Sequence, residues 1–377
     1  MSGIYIHIPY CKTKCPYCDF FSVTGKPNKS SFLNALLEEI HLQKDFLGNR
    51  KIQTLYFGGG TPSVLASEDL EFIFERLNAT FSIDEEAEIT VECNPDDVSV
   101  DFFSELKSIG FNRLSLGVQS FHEEDIKFLD RRHTVRQNYL AIEWALQTGF
   151  KNISIDLIYG LPGSTSNRWK QTLETAFDFP FQHLSAYHLT IEPGTNFGEL
   201  FKKGELSEIS EEDSLEQFRI LMEYAKNMGF EHYELSSFAL PGYYSRHNTG
   251  YWWQKPYLGL GPSAHSYNGE MRQWNVAHIN TYIHSVLNGK IPCEKEFLTM
   301  QDRFNEYLIT RLRTQWGVDL ATIERKFGRG YKDHFLTAAS SFLDQQYLER
   351  NGNIVALTNK GKFISDAIIR DVIWSRG

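Results

Sequence analysis

The chain has 377 residues, 41% of them hydrophobic and 23% charged, a composition that suits a folded globular protein with one large domain and a smaller one. A formal net charge of −10 argues against non-specific nucleic-acid binding by the whole molecule. No apolar run approaches the ~18 residues that span a membrane, and no signal peptide precedes the first cysteines, so a cytoplasmic setting is expected.

The first predicted strand, residues 4–8, runs into Cys11-Lys12-Thr13-Lys14-Cys15-Pro16-Tyr17-Cys18. Three of the chain's five cysteines sit in these eight residues, which predicts metal chemistry and not a disulfide framework. A 4Fe–4S cluster takes four cysteine thiolates, so three would leave one iron open to a non-protein ligand. Two other readings compete. Zinc could be held by the three thiols and completed by His7 or a remote residue, which leaves the ligand-ready strand ends idle. A redox pair of Cys15 and Cys18 leaves Cys11 unexplained. Cys93 and Cys293 stand alone and are expected to pack as small hydrophobes.

Further strands are predicted over 54–57, 88–92, 113–118, 152–158 and 183–190, each rich in β-branched and aromatic residues. Amphipathic helices lie between them. Leu33, Leu36, Leu37 and Ile40 form one stripe, and Leu70, Ile73, Phe74 and Leu77 another. Ser67, Ser99 and Ser210 stand where N-caps belong. Helices end at Gly110-Phe111, Gly149-Phe150 and Gly229-Phe230, where glycine can take the left-handed position and phenylalanine can seal the helix end. Strands joined by helices are parallel, and six such units predict an α/β fold, a partial (β/α)6 barrel with its chemistry at the C-terminal strand ends. An open doubly wound sheet is the alternative, but no GxGxxG follows the first strand.

Each strand end carries something polar or glycine-rich. The second is followed by Gly58-Gly59-Gly60-Thr61-Pro62, where absent side chains would let backbone approach a ligand. The third ends in Glu92-Cys93-Asn94-Pro95, the fourth in Gln119 with Arg131 and Arg132 downstream, and the fifth holds Asp156 in an otherwise apolar strand. From about Phe238 to residue 297 the pattern dissolves into aromatic, Gly- and Pro-rich sequence, read as a connecting region between a barrel domain (1–237) and a C-terminal domain (298–377). The last part predicts helices, a hairpin turning at Asn351-Gly352, and a final helix over 360–372, a small winged-helix-like α+β unit. With twelve Lys and Arg against nine Asp and Glu it is only mildly basic, so DNA binding is not expected.

Cys11-x3-Cys15-x2-Cys18 with Tyr17 before the last thiol, followed by Gly58-Gly59-Gly60-Thr61-Pro62, resembles the radical S-adenosylmethionine (SAM) superfamily. Tyr5-Ile6-His7-Ile8-Pro9, Glu92, Gly117-Val118-Gln119 and Asp156-Leu157-Ile158-Tyr159-Gly160-Leu161-Pro162 resemble its HemN/HemW group across nearly the whole chain. The resemblance implies a 4Fe–4S cluster on Cys11, Cys15 and Cys18, with S-adenosylmethionine on the open iron. It further implies a cofactor lining of Tyr5, Tyr17, Gly59, Gly60, Thr61, Glu92, Gln119, Arg131 and Asp156.

Two features then choose within the group. Coproporphyrinogen dehydrogenases of the HemN type carry a fourth cysteine where this chain has Phe20, and a long segment ahead of the cluster motif where this chain begins ten residues before Cys11. Oxidative decarboxylation of coproporphyrinogen III is therefore the second choice. His247-Asn248-Thr249-Gly250-Tyr251-Trp252 resembles the His-Asn-x-x-Tyr-Trp motif of the group's heme chaperones. Its imidazole could ligate heme iron and its rings offer flat apolar surface, so His247, Asn248, Tyr251 and Trp252 are the expected heme site, with His188 and His265 as other ligand candidates. The resulting expectation is a protein with a cluster and S-adenosylmethionine that carries heme as cargo to accepting proteins such as respiratory haemoproteins. Peripheral membrane contact and oligomeric state are left open.

Overall fold

The structure is a computed structural model that describes residues 2–374. Six strands form its centre: β1 (Gly3–Ile8), β2 (Ile52–Gly59), β3 (Ile83–Cys93), β4 (Arg113–Gln119), β5 (Ile153–Tyr159) and β6 (His183–His188). They are hydrogen-bonded in that order and all neighbours are parallel. The connecting helices are α1 (Lys29–Leu42), α2 (Ser67–Thr80), α3 (Val100–Ile109), α4 (Val135–Gln147) and α5 (Ser166–Phe177), and α6 (Glu211–Asn227) follows β6.

Alternation along each strand divides its side chains between two faces. Ile4, Ile6, Ile8, Leu55, Phe57, Leu114, Leu116, Ile153 and Ile155 are fully buried in the main hydrophobic core, which also takes in Leu36 and Ile40 of α1 and Leu70, Ile73 and Leu77 of α2. The other face carries Tyr5, His7, Thr54, Tyr56, Glu88, Glu92, Arg113, Ser115, Ser154 and Asp156. Those polar residues line the barrel interior.

The three Gly-Phe helix ends behave alike. Gly110, Gly149 and Gly229 have φ of 120°, 79° and 81°. The next amide turns back to a helix carbonyl, Phe111 to Leu106 at 3.0 Å, Phe150 to Ala145 at 3.1 Å and Phe230 to Ala225 at 2.9 Å. All three phenylalanines are buried. Ser99 and Ser210 cap their helices by accepting from the amides of Phe102 and Asp213. Ser67 is instead the first helical residue of α2. Ala66 occupies the cap position, and its amide donates to Asp69 while the Ser67 hydroxyl donates to Glu105.

The stretch 238–297 is a wall of the barrel and not a connector. After β7 (Glu231–Glu234) and β8 (Ser237–Ala239), which extend the sheet beyond β6, helix α7 (Arg246–Trp252) crosses back to β2. Then β9 (Tyr257–Leu260) pairs parallel to β1, and β10 (His265–Tyr267), β11 (Met271–Asn275) and β12 (Cys293–Phe297) continue antiparallel, with α8 (Ile279–Leu287) between the last two. Short strands broken by Gly261, Pro262 and Gly269 hide this continuity from a periodicity reading. The buried Glu39 of α1 fastens the addition, accepting from the amide of Gly261 (2.7 Å), Asn275 (2.6 Å) and Tyr282 (2.6 Å).

Residues 298–374 build a second core around Phe304, Leu308, Leu312, Phe335 and Ile368. It contains α9 (Met300–Leu312), β13 (Val318–Asp319), α10 (Leu320–Phe327), α11 (Arg329–Asp344), the hairpin β14 (Leu348–Asn351) and β15 (Ile354–Leu357), and α12 (Ser365–Val372). Asn351 pairs with Ile354, so the two-residue turn is Gly352-Asn353, one residue later than expected. A short helical turn at Asn359–Lys362 precedes α12, so the expected final helix is broken. No described helix is long and apolar enough to cross a membrane.

Gly229 has open space where a Cβ would stand, so only its positive φ resists substitution. Gly229→Ala should therefore destabilise the fold by about 1 kcal/mol. The change should appear in urea titration as a lower midpoint with an unchanged slope.

Candidate radical SAM centre

A cavity of about 580 Å³ opens at the C-terminal ends of the six strands. Cys11, Cys15 and Cys18 line one side, in the loop that follows β1. All three thiols are free and partly exposed. The loop is pinned at both ends, with Val23 donating to Pro9 at 2.7 Å and Gly25 to Cys11 at 2.8 Å. The amide of Phe197 donates to Pro16 at 2.9 Å, and Lys12 is ion-paired with Asp97.

A run of hydrogen bonds links two of the thiols through the strand ends. Cys11 Sγ lies 3.5 Å from Thr61 Oγ1, which accepts from Asn94 Nδ2 at 3.3 Å. Asn94 Oδ1 accepts from Arg131 Nη2 at 2.5 Å, and Arg131 Nη1 donates to both Cys15 Sγ and Tyr17 Oη at 3.4 Å. Burial opposes the guanidinium charge, but Tyr17 and Cys15 beside it raise its pKa overall. Arg132, its neighbour in sequence, also lines the cavity and is ion-paired with Asp96.

The opposite wall is acidic. Glu92 accepts from Tyr56 Oη at 2.8 Å and from the Gly59 amide at 3.3 Å, and burial pushes its carboxyl up to about 7. Asp156 accepts from Ser115 at 3.0 and 3.2 Å and from Ser154 at 3.3 Å, and burial raises its pKa as well. Gln119 holds a φ of 67°, an uncommon conformation for a residue with a side chain. Gly117 makes room for it, since a Cβ there would stand 2.9 Å from Gln119 Nε2.

Packing also demands the glycine run. A Cβ on Gly59 would fall 2.6 Å from the His7 ring, one on Gly60 2.8 Å from the Tyr10 carbonyl, and one on Gly58 2.9 Å from Tyr56. Close packing of the strand end on protein atoms requires these glycines. Tyr17, Gly59, Gly60, Thr61, Glu92, Gln119, Arg131 and Asp156 all line the cavity with the cysteines, but Tyr5 does not. Its ring lies deeper, with Oη 3.2 Å from His7 Nδ1. His7 is engaged at its other nitrogen by the Phe21 carbonyl at 2.9 Å, so it does not complete a zinc site.

Residues 5–176 match the radical SAM superfamily, and residues 298–364 match the HemN C-terminal domain. The chain is 33% identical to the heme chaperone HemW of Bacillus subtilis, over 98% of each sequence. It is 32% identical to that of Mycobacterium tuberculosis, over 98% of this chain and 94% of the relative. The chain belongs to the HemW family. In fold it superposes on the coproporphyrinogen III oxidase HemN of Escherichia coli with a TM-score of 0.86 at 23% identity, covering 99% of this chain and 90% of that one. Membership in the radical SAM superfamily implies an iron–sulfur cluster and S-adenosylmethionine.

The HemW-type motif lies away from this cavity. Helix α7 plugs the floor of the barrel, where Glu88 accepts from the amides of Arg246 and His247, both at 3.0 Å, and so satisfies the helix N-terminus. His247 is 3% exposed. One ring nitrogen meets Thr54 Oγ1 at 2.8 Å and the other Tyr251 Oη at 2.7 Å, and the ring stacks on Tyr56. Burial, helped by Arg113, pushes its pKa down to about 3. As an axial heme ligand His247 would have to give up one of these two bonds. Asn248 and Trp252 are half-buried and line neither this cavity nor the one beside β9 and β10. His188 reaches the radical SAM cavity, but its Nε2 is bonded to Ser214 at 2.8 Å.

Asn94, noted in sequence only as part of a strand end, joins Thr61 to Arg131, and two contributors escaped the sequence reading, Ser115 and Tyr187 beside Asp156. The signal was present as polar residues at every second position of buried parallel strands, which normally read as apolar runs.

Glu92 keeps its proton to higher pH in the folded chain than an exposed glutamate would, whose pKa is ~4.3. Its contribution to stability is therefore fully present below ~4.3 and is lost as pH rises through that value to about 7. Thermal unfolding of the cluster-free chain should give a higher midpoint for Glu92→Gln than for the parent at pH 8. The two midpoints should converge near pH 4.5.

Proposed function

We propose that this protein is a heme chaperone that holds a 4Fe–4S cluster and S-adenosylmethionine in the strand-end cavity and passes heme to acceptor proteins. The observation that carries the cofactor half is the hydrogen-bonded run Cys11–Thr61–Asn94–Arg131–Cys15, which fixes the thiol loop to the ends of β2, β3 and β4. The donor set suits the group: three free thiols on one side of a 580 Å³ cavity, with desolvated carboxylates facing them. Cys11, Cys15 and Cys18 would bind the iron as thiolates. Burial raises the Cys18 thiol, so loading would release its proton.

In the same reading Gly59, Gly60 and Thr61 present backbone and hydroxyl to the amino group of S-adenosylmethionine, and Arg131 offsets its carboxylate. Glu92, Gln119 and Asp156 bond the ribose and adenine, and Tyr17 closes the side beside Arg131. Tyr5 is outside this set. When bound, the cluster supplies one-electron chemistry toward S-adenosylmethionine. The cargo half rests on the relatives, which are named heme chaperones, at 33% identity over the full length. Heme-accepting proteins, respiratory haemoproteins among them, are the proposed partners. The division into residues 1–237, 238–297 and 298–377 is kept as a proposal only for the last part, because 238–297 completes the barrel sheet.

Anaerobic reconstitution should load about four irons per chain and give a spectrum that S-adenosylmethionine perturbs. Each single Cys→Ser change in the motif should abolish loading, and full loading of such a variant would sink the cluster assignment. Hemin-loaded protein should transfer heme to an apo-haemoprotein, seen as a shift of the Soret band. Turnover of coproporphyrinogen III to protoporphyrinogen by the loaded protein would instead establish the decarboxylase.

A further inference from the structure

Besides the strand-end cavity and a second of about 460 Å³ beside β9 and β10, a third cavity of about 440 Å³ lies on the seam between the barrel and the C-terminal unit. The barrel side is the end of α6, β7 and Leu235; the other side is the residues after α9, the hairpin and the helical turn Asn359–Lys362. Two backbone bonds cross the seam, from the Leu235 amide to Arg313 at 3.1 Å and from the Gln315 amide to Tyr233 at 3.0 Å. A side-chain bond crosses it beside the cavity, between Lys362 Nζ and His232 Nδ1 at 3.1 Å.

That bond constrains both groups. His232 Nε2 faces the Leu235 carbonyl at 3.1 Å, and a carbonyl only accepts, so Nε2 carries the ring hydrogen and Nδ1 offers a lone pair. The ring stacks on Phe238 at 4.1 Å, and burial, with the Lys362 charge beside it, pushes its pKa down to about 3. Lys362 is therefore the donor, to Nδ1 and also to Asn359 Oδ1 at 3.2 Å. Both acceptors are neutral, and no carboxylate ion-pairs with the amine among the described residues. A neutral amine keeps two hydrogens, enough for both bonds, and frees a lone pair. Burial favours that form and pushes the Lys362 pKa down to about 8, with Glu349 of β14 opposing. The other charged residues lining the cavity are Lys226, Glu231, Glu234 and Arg313, whose guanidinium is held by Asp366 at 2.9 Å.

We propose that Lys362 is a site of N-acylation by an activated acyl group, an acyl phosphate or a thioester, and that the modification unfastens one tie between the barrel and the C-terminal unit. Lys362 Nζ attacks the acyl carbonyl and a C–N bond forms. The C–O or C–S bond breaks, and phosphate or thiolate leaves with its electron pair. The proton shed by the amine goes to solvent, because the buried His232 cannot hold it. The product amide has one N–H and no charge, so it cannot serve His232 and Asn359 together. A cavity of 440 Å³ has room for a short acyl chain.

The test incubates the full chain, cluster reconstituted, with acetyl phosphate and, in a separate arm, with acetyl-CoA. Peptide mass spectrometry follows each lysine, and Lys226, exposed at the same cavity, is the internal control. At pH 7.5 about a quarter of an amine of pKa near 8 is neutral, against ~0.1% of an ordinary lysine at ~10.4. A less basic amine is also a weaker nucleophile, so Lys362 should be acetylated about tenfold faster than Lys226. That ratio should shrink as pH rises from 7.5 to 9.5, and the arm in which it is seen names the donor. The acetylated chain should lose amide-exchange protection at Leu235 and Gln315 with unchanged circular dichroism, whereas Lys362→Arg should keep that protection after the same incubation. Acetylation of Lys362 no faster than that of Lys226 in both arms would overturn the site. Unchanged protection at Leu235 and Gln315 in the acetylated chain would overturn the unfastening.

Discussion

Arg131 reaches four groups in three separate segments: Cys15 and Tyr17 in the thiol loop, Asn94 after β3, and the Gly117 carbonyl in β4. A buried guanidinium costs several kcal/mol unless its donors are matched. That penalty can be met only when all three segments are in place together. The thiol loop, which has little hydrophobic anchorage of its own, thereby inherits the rigidity of the barrel. Thr61 closes the run from the β2 side, so two of the three thiols are positioned by strand ends far away in sequence.

The two ends of the barrel use similar residues for opposite purposes. Glu88 and Glu92 lie on the same face of β3, four residues apart. At the floor Glu88 meets two helix amides, and its charge is answered by the N-terminus of α7. At the mouth Glu92 has one phenol and one amide, and burial leaves it with a pKa near 7. A closed floor and a proton-poised mouth confine exchange with solvent and ligands to the cysteine end. The added strands β9–β12 lengthen one wall of this vessel, and α9 packs beside α7, which gives the second cavity its far side.

Much of this was legible because it depends on local rules. Strand positions followed from short β-branched and aromatic runs, and the six-fold βα order followed from their alternation with amphipathic helices. The Gly-Phe helix ends were readable because a left-handed residue and a buried ring are both needed within two positions. Ser99 and Ser210 were readable as caps, whereas Ser67 was not, because Asp69 lets Ala66 serve and Glu105 captures the Ser67 hydroxyl. The 238–297 stretch defeated periodicity because its strands are three to five residues long and only the first of them, β9, pairs with the barrel strand β1, the others following one on another. Arg131 and Arg132 were indistinguishable in sequence; one bonds the thiol loop and the other pairs with Asp96.

The sequence by itself determined the thiol spacing, the run of βα units and the family, since each is written in residues close together along the chain. Tertiary structure alone decided which cavity a residue serves. Tyr5 and His7 share a strand face with the cofactor wall, yet their neighbours across the sheet turn them toward β9 and the second cavity. In sequence His247 stood as the expected heme ligand, with His265 as a lesser candidate. The fold buries one between Thr54 and Tyr251 with both nitrogens taken, and leaves the other open at a cavity mouth. One of the two partners of His247, Thr54, lies 193 residues away in the chain, a distance over which no local pattern carries information.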